Sequence, residues 1–180
     1  ILKCSRVKHI LNRRNPGLLN LEMKDTLDKI WRLINLDLVA HLKLRRVKIA
    51  NISLYRKTYV EIAKTANLEI SSNALFEFNC SWLKRAMKSS SLGLGNNAKL
   101  IVKNNFKIFE NAQVFVNKNA TLVLGSGYIN SGVNIGCYER IEIGEDVAIA
   151  ENVSIRDSNN HLILNQPNYA MKAPIKIGNH

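Results

Sequence analysis

A run of aliphatic residues at a fixed period fills the second half of the chain, and His161 stands where the next member is due. The segment is Ile155-Arg156-Asp157-Ser158-Asn159-Asn160-His161, after which a loop runs from Leu162 to Ala173, with Pro167 and Tyr169 in it and Pro174 at its exit. The aliphatic series then resumes at Ile175 and Ile177. Imidazole, with an ordinary pKa of about 6.5, takes up and returns a proton near neutral pH, so a histidine at such a break is a candidate general base. Its bland alternative is a loop histidine bonded to backbone. Asp157, four residues earlier, has two readings of its own: it orients the imidazole, or it caps the turn Asp157-Ser158-Asn159. Among the other histidines, His9 and His41 read as surface or helix residues and His180 as part of a structural motif. Cys4, Cys80 and Cys137 are odd in number and far apart, which suggests neither a disulfide framework nor a cysteine-rich zinc site. No metal is expected, and a reducing cytoplasm is the expected compartment.

The elements that position this break follow from the period. Ile129, Ile135 and Ile141 are six apart, and after a slip of two, Ile143, Ile149 and Ile155 continue the series. A helix repeats at about 3.6 and a half-buried strand at 2, whereas a six-residue beat belongs to a solenoid whose short strands each turn a corner. The beat runs upstream through Leu94, Leu100, Val102, Ile108, Val114, Val116 and Leu122, with a step of five between Leu124 and Ile129. Three such sides make a coil of roughly 18 to 20 residues, and stacked coils advance about 4.8 Å each. Of the 23 asparagines 18 lie from Asn67 onward, and eight of the nine glycines lie from Gly93 onward. Both types tolerate the left-handed backbone that repeated corners demand, so this distribution supports the solenoid over a set of hairpins.

Charge divides the chain differently. Residues 1–65 hold 15 Lys and Arg against 5 Asp and Glu, while residues 66–180 hold 11 against 9. The basicity thus belongs to an N-terminal segment, 1–65, and not to the repeat domain, 66–180. From about Leu21 to Lys48 that segment reads as helix, with Asn20 as N-cap and Leu27, Ile30, Trp31, Ile34 and Leu38 as an apolar stripe expected to be buried at one end of the solenoid. Leu33, Leu36, Val39 and Leu42 widen that stripe. Residues 50–78 turn strand-like and lead into a first coil. Cys80 to Ser91, with Trp82 and the cluster Lys84, Arg85 and Lys88, reads as an insertion. The basic segment is expected either to make peripheral contact with a membrane or an anionic glycan, or to be a solvated helical face; nucleic acid is disfavoured because no recognised motif accompanies the charge. The longest uncharged run, Asn119 to Tyr138, is rich in Asn, Gly and Ser and makes a poor membrane span. The chain begins without Met and stops within a hexad at Ile177-Gly178-Asn179-His180, so the natural protein is expected to continue.

The hexads, Asn130, the run Ile143-Gly144-Glu145-Asp146-Val147-Ala148-Ile149-Ala150-Glu151-Asn152-Val153-Ser154-Ile155, the segment Asp157 to His161 and the restart at Ala173-Pro174-Ile175-Lys176-Ile177-Gly178-Asn179-His180 together resemble the hexapeptide-repeat acyltransferases. Within that superfamily the chain is most similar to the O-acetyltransferases of maltose, galactosides and capsular or other surface polysaccharides. The similarity covers roughly residues 92–180 and is most specific from Asn130 on.

The resemblance implies a mainly β protein: a left-handed parallel β-helix of hexapeptide repeats with an N-terminal α-helical segment, an exception to the right-handed crossover preference. It implies a homotrimer with sites between subunits, acetyl-CoA as acyl donor and a carbohydrate as acceptor. It also implies that His161 is the general base on the acceptor hydroxyl, which attacks the thioester directly. Asn130 matches an asparagine that holds the acceptor in those enzymes, although its type suits a corner turn equally. Residues that contact CoA are not assigned. Two alternatives stay open: N-acetylation of an amino-sugar nucleotide, and a β-helical scaffold without catalysis. The cytoplasm, at the inner face of the membrane for surface polysaccharide synthesis, is the expected location.

Overall fold

The computed structural model describes residues 26, 30, 36–44, 51–82, 88–159, 161 and 171–180. They belong to two compact units, Ile1–Leu36 and Asp37–His180. Thr26, Ile30 and Leu36 are the described residues of the first unit. All other described residues belong to the second.

Among the described residues, fifteen short strands wind through five coils. The first coil holds β1 (Ile52–Leu54), β2 (Thr58–Ile62) and β3 (Asn67–Ile70), and the second β4 (Phe76–Cys80), β5 (Ser90–Leu94) and β6 (Lys99–Val102). The third holds β7 (Phe106–Phe109), β8 (Gln113–Val116) and β9 (Thr121–Leu124), the fourth β10 (Gly127–Ile129), β11 (Asn134–Cys137) and β12 (Arg140–Ile143), and the fifth β13 (Val147–Ile149), β14 (Ser154–Arg156) and β15 (Ile175–Ile177). Every third strand joins the same parallel sheet. The first sheet is β1-β4-β7-β10-β13, the second β2-β5-β8-β11-β14 and the third β3-β6-β9-β12-β15. This is a left-handed parallel β-helix, a three-sided prism of hexapeptide repeats. The first two strands lie within residues 1–65, so that segment opens the β-helix.

The six-residue beat is the inward-facing column of each sheet. Ile129, Ile135 and Ile141 are fully buried, Ile143 is nearly so, and Ile149 and Ile155 at the last coil are 8% and 7% exposed. The slip of two is also explained. Ile141 and Ile143 are the two inward positions of one strand, β12, separated by the outward Glu142. The step of five has a local cause: the corner between β9 and β10 is only Gly125 and Ser126, whereas residues 103–105 and 144–146 fill the equivalent corners below and above. Register gives the coil length, since Leu100 pairs with Leu122 and Leu122 with Ile141, steps of 22 and 19 residues. Phe76, Phe78 and Phe106 fill the first sheet's inner face in the lower coils, where aliphatic residues stand elsewhere.

Asparagine turns the corners as its type requires. Asn97, Asn111, Asn119 and Asn152 have positive φ between 55° and 61°, and Asn79, Asp146 and Lys57 have positive φ between 57° and 64°. Asn97 and Asn119 stand at successive levels of one corner and bond to each other, Nδ2 donating to Oδ1 at 3.1 Å.

The helix expected from Leu21 to Lys48 is not continuous. Thr26 and Ile30 are helical, but Leu36 and Asp37 are not, and α1 (Leu38–Leu44) begins anew. Asp37 is the reason. Its Oδ1 accepts from the Ala40 amide at 3.0 Å as an N-cap, and its Oδ2 accepts from the Thr58 amide at 3.2 Å, tying the helix start to β2. Within this helix Ala40 and Leu44 are buried, while Leu38 is 71% exposed and Val39 and Leu42 are exposed too. The expected burial of the stripe therefore fails at Leu38, and Ile30 is exposed as well. Asn20, Leu27, Trp31, Leu33 and Ile34 lie outside the described residues, as do Cys4, His9, Lys84 and Arg85. His41 serves the same junction: Nδ1–H donates to the Asp37 carbonyl at 2.8 Å and Nε2 accepts from the Leu54 amide at 3.2 Å. Among the described residues no helix is long and apolar enough to cross a membrane.

Candidate functional site

Asp157 is the hinge of the break seen in the sequence. It follows Ile155 by two, which in a strand is the next inward position, and its side chain is 4% exposed. A carboxylate there needs partners. It has three backbone donors, all from the turn one coil below: Oδ1 accepts from the Tyr138 amide at 2.6 Å, and Oδ2 from the Glu139 and Arg140 amides at 2.8 Å each. Between the two readings offered by sequence, the observed bonding is a cap, but of the turn after β11 and not of its own. Among the described residues His161 and Asp157 share no hydrogen bond.

What Asp157 does for His161 is to fix the root of the segment that carries it. The Asp157 carbonyl accepts from the Ala173 amide at 3.1 Å, Ser158 bridges antiparallel to Lys172, and the Asn159 amide donates to the Met171 carbonyl at 3.0 Å. The outgoing and returning chain are thus pinched into a stem on the corner between the second and third sheets. His161 stands two residues beyond Asn159 and is exposed. Of the loop expected from Leu162 to Ala173, residues 162–170 lie outside the described residues.

Around this stem the surface is polar and aromatic. Arg156, outward on β14, lies over the Tyr138 ring with its guanidinium carbon 5.3 Å from the centroid. Arg140 bonds Glu142 at 3.1 Å, and Lys103 adds an ion pair at 3.5 Å; together, Arg140 first, they hold the Glu142 carboxyl below its usual range. Beneath Asp157, burial and then the Asp157 charge push the Cys137 thiol up to about 12. A thiol so held is no nucleophile at neutral pH.

Asn130 lies elsewhere, at the corner between the first and second sheets on the fourth coil. Its Oδ1 accepts from the Trp82 indole N–H at 2.9 Å and from the Ser131 amide at 2.8 Å, and its Nδ2 reaches Glu151 Oε1 at 3.5 Å. It is half-buried. The fold therefore brings Asp157 and His161 to one corner and places Asn130 at another, across the width of the second sheet. A four-residue strand spans roughly 13 Å, so one chain does not close a site around all three.

Sequence reasoning missed the company Asn130 keeps. Trp82 stacks on Phe109, and Tyr128 meets both edge-on. The period-2 alternation of β7 and β10 marks Phe109 and Tyr128 as outward residues, but Trp82 belongs to an insertion with no register to read. Among the described residues no cluster of three His, Cys, Asp or Glu could hold a metal ion.

Compared with known proteins, the chain matches no family model, no curated protein and no solved structure.

Proposed function

We propose that the chain is an acetyl-CoA-dependent O-acetyltransferase of the hexapeptide-repeat superfamily, acting on a carbohydrate hydroxyl, with His161 as general base. The observation that carries this reading is the display of His161: an exposed imidazole raised on a stem that Asp157 bolts to the preceding coil of a β-helix. A base needs to be accessible to the acceptor and held in place. His161 meets the first need, and Asp157, as a positioning residue, serves the second.

The chemistry balances with one proton acceptor. His161 takes the proton of the acceptor hydroxyl as its oxygen bonds to the thioester carbonyl carbon. The carbon–sulfur bond then breaks, and the imidazolium returns the proton to the departing CoA sulfur. General-base assistance of this kind contributes roughly 10² to 10⁴ in rate. Because Asn130 and His161 sit on different corners, a site that uses both draws them from different copies, which agrees with a homotrimer whose sites lie between subunits.

The test is His161→Gln in the full chain. CoA release from acetyl-CoA in the presence of a carbohydrate acceptor should fall by about 10² or more, with circular dichroism and unfolding midpoint unchanged. Turnover within a few-fold of the unmutated protein would show that His161 is not the base.

A further inference from the structure

The outer face of the first sheet carries an aromatic cluster that the repeat itself does not require. Phe109 follows the inward Ile108 and so points out of the prism, yet it is only 6% exposed. Trp82 covers it, with ring centroids 4.2 Å apart and planes within 5° of parallel. Tyr128, one coil on, meets the two rings edge-on with centroids 6.2 and 6.1 Å away. The Asn130 side chain fixes the indole through its N–H. Covering Phe109 uses one face of the indole. Trp82 remains 62% exposed, so the opposite face is open to solvent.

Beside this ring lies a hollow of about 550 Å³, within the usual range of small-molecule sites. Its other walls are polar and of both signs. Lys107 pairs with the buried Glu77 at 3.2 Å and keeps further N–H donors, and Asp146 accepts from the Ser126 hydroxyl at 3.2 Å and keeps acceptor capacity. Asn104, also on the rim, donates to Glu145 at 3.0 Å and presents its amide oxygen. A flat apolar face with donors and acceptors around its edge suits a pyranose ring. The ring's C–H face lies on the indole, while its hydroxyls, each both donor and acceptor, reach the lysine and the carboxylate. The carboxylates of Asp146 and Glu145 disfavour a phosphate-bearing chain at the same place.

We propose that Trp82 is the stacking platform of a binding subsite for a neutral sugar ring on the outer face of the first sheet, with Lys107 and Asp146 at its edge. This deepens the proposed function, on whose carbohydrate acceptor it rests, and puts that acceptor on the same side as Asn130.

The chain has two tryptophans, so Trp31→Phe leaves Trp82 as the sole indole emitter. That protein is titrated with cellotetraose, maltotetraose and chitotetraose in the absence of acetyl-CoA. A saturable change in emission is expected with at least one of the three. Trp82→Leu in the otherwise unchanged chain keeps an aliphatic cover on Phe109 but removes the flat face. By calorimetry it should weaken binding about ten-fold with an unchanged unfolding midpoint, and Trp82→Phe should fall between the two. No saturable binding of any tetrasaccharide, or binding that Trp82→Leu leaves intact, overturns the platform. If a tetrasaccharide binds and no acetyl group is transferred to it, the platform stands and the acetyltransferase reading falls. If transfer occurs and Trp82→Leu leaves KM unchanged, the platform alone falls.

Discussion

Cys137 and Asp157 occupy successive levels of one inward-facing column, with the Cys137 sulfur 3.9 Å from Oδ2 of Asp157. The column rises through Leu94, Val116 and Cys137, paired level by level, and Asp157 follows the Arg156 that pairs with Gly136. An aliphatic column thus ends in a thiol and then a carboxylate. The change of chemistry is what lets the chain leave the prism here. An aliphatic residue in its place would only continue the core, whereas the carboxylate gathers the amides of the turn below and anchors the stem that bears His161.

Asp157→Asn tests that anchoring. The amide retains one acceptor oxygen but sets an NH₂ group against backbone N–H donors, and the charge that strengthened three hydrogen bonds is lost. A cost of about 2–3 kcal/mol is expected, seen as a fall of roughly 5–10 °C in the unfolding midpoint. His161→Gln, which removes no such bond, should leave the midpoint unchanged. Equal midpoints for Asp157→Asn and the unmutated chain would mean that the cap contributes nothing.

The same pair sets an alkaline limit on stability. The Cys137 thiol rises from 9.0 to about 12, chiefly because it is buried. The folded state therefore holds a proton that the unfolded chain has released across this interval. Stability from this group is fully present below pH 9 and is lost as pH climbs toward 12, at no more than about 1.4 kcal/mol per pH unit. Urea unfolding between pH 8 and 10.5 should show a fall that Cys137→Ala reduces. In the native protein at pH 8, iodoacetamide should leave Cys137 unmodified by mass spectrometry. Labelling there without unfolding would contradict its burial.

The β-helix was legible because its signal is local and repeated. Ile129 through Ile155 needed only counting, and every one of them faces the core. The N-terminal helix misled for the opposite reason. The Asp37 carboxylate caps Ala40 and also binds the Thr58 amide, 21 residues on, so a helix begins at Leu38 for a reason that no local pattern shows. At the break, His161 stood out because it replaced an expected aliphatic. The partners of Asp157 did not, since the amides it binds lie 17 to 19 residues earlier, one coil below. Trp82 was the least legible. Its contact with Phe109 crosses from an insertion onto a strand 27 residues away, and no period connects them.

Self-association should involve the second sheet. Its outer face lies between the Asn130 corner and the His161 corner, and it leaves Phe115 46% and Tyr59 67% exposed. Phe115 stands in the ladder between Gly93 and Gly136, so no side chain beside it on either strand covers its flanks. Sedimentation at micromolar concentration is expected to give three copies of the chain. Phe115→Glu, which places a charge on this face without touching the core, should shift the equilibrium toward monomer and lower acetyl transfer with it. A monomer for the unmutated protein would remove the shared site, and a trimer indifferent to Phe115→Glu would move the contact to another face.

Two glycines on consecutive strands should respond unequally to the same added methyl group. Gly127 opens β10 with φ of +123°, a conformation that L side chains rarely adopt, and a Cβ there would run into the Val147 backbone of the next coil. Backbone in a parallel ladder does not yield without breaking the pairing of β10 with β13. Gly136, by contrast, is extended in the middle of β11. A Cβ on it would come within 3.2 Å of Arg156 Nε and the Tyr138 ring, side-chain atoms that need to shift by only a few tenths of an ångström. Gly127→Ala should therefore destabilise by about 3 kcal/mol or more, and Gly136→Ala should stay within about 1 kcal/mol of the unmutated chain. Urea denaturation of the two variants measures the difference. Similar losses for both would mean that close stacking of neighbouring coils, and not the positive φ of Gly127, sets the demand for glycine in this β-helix.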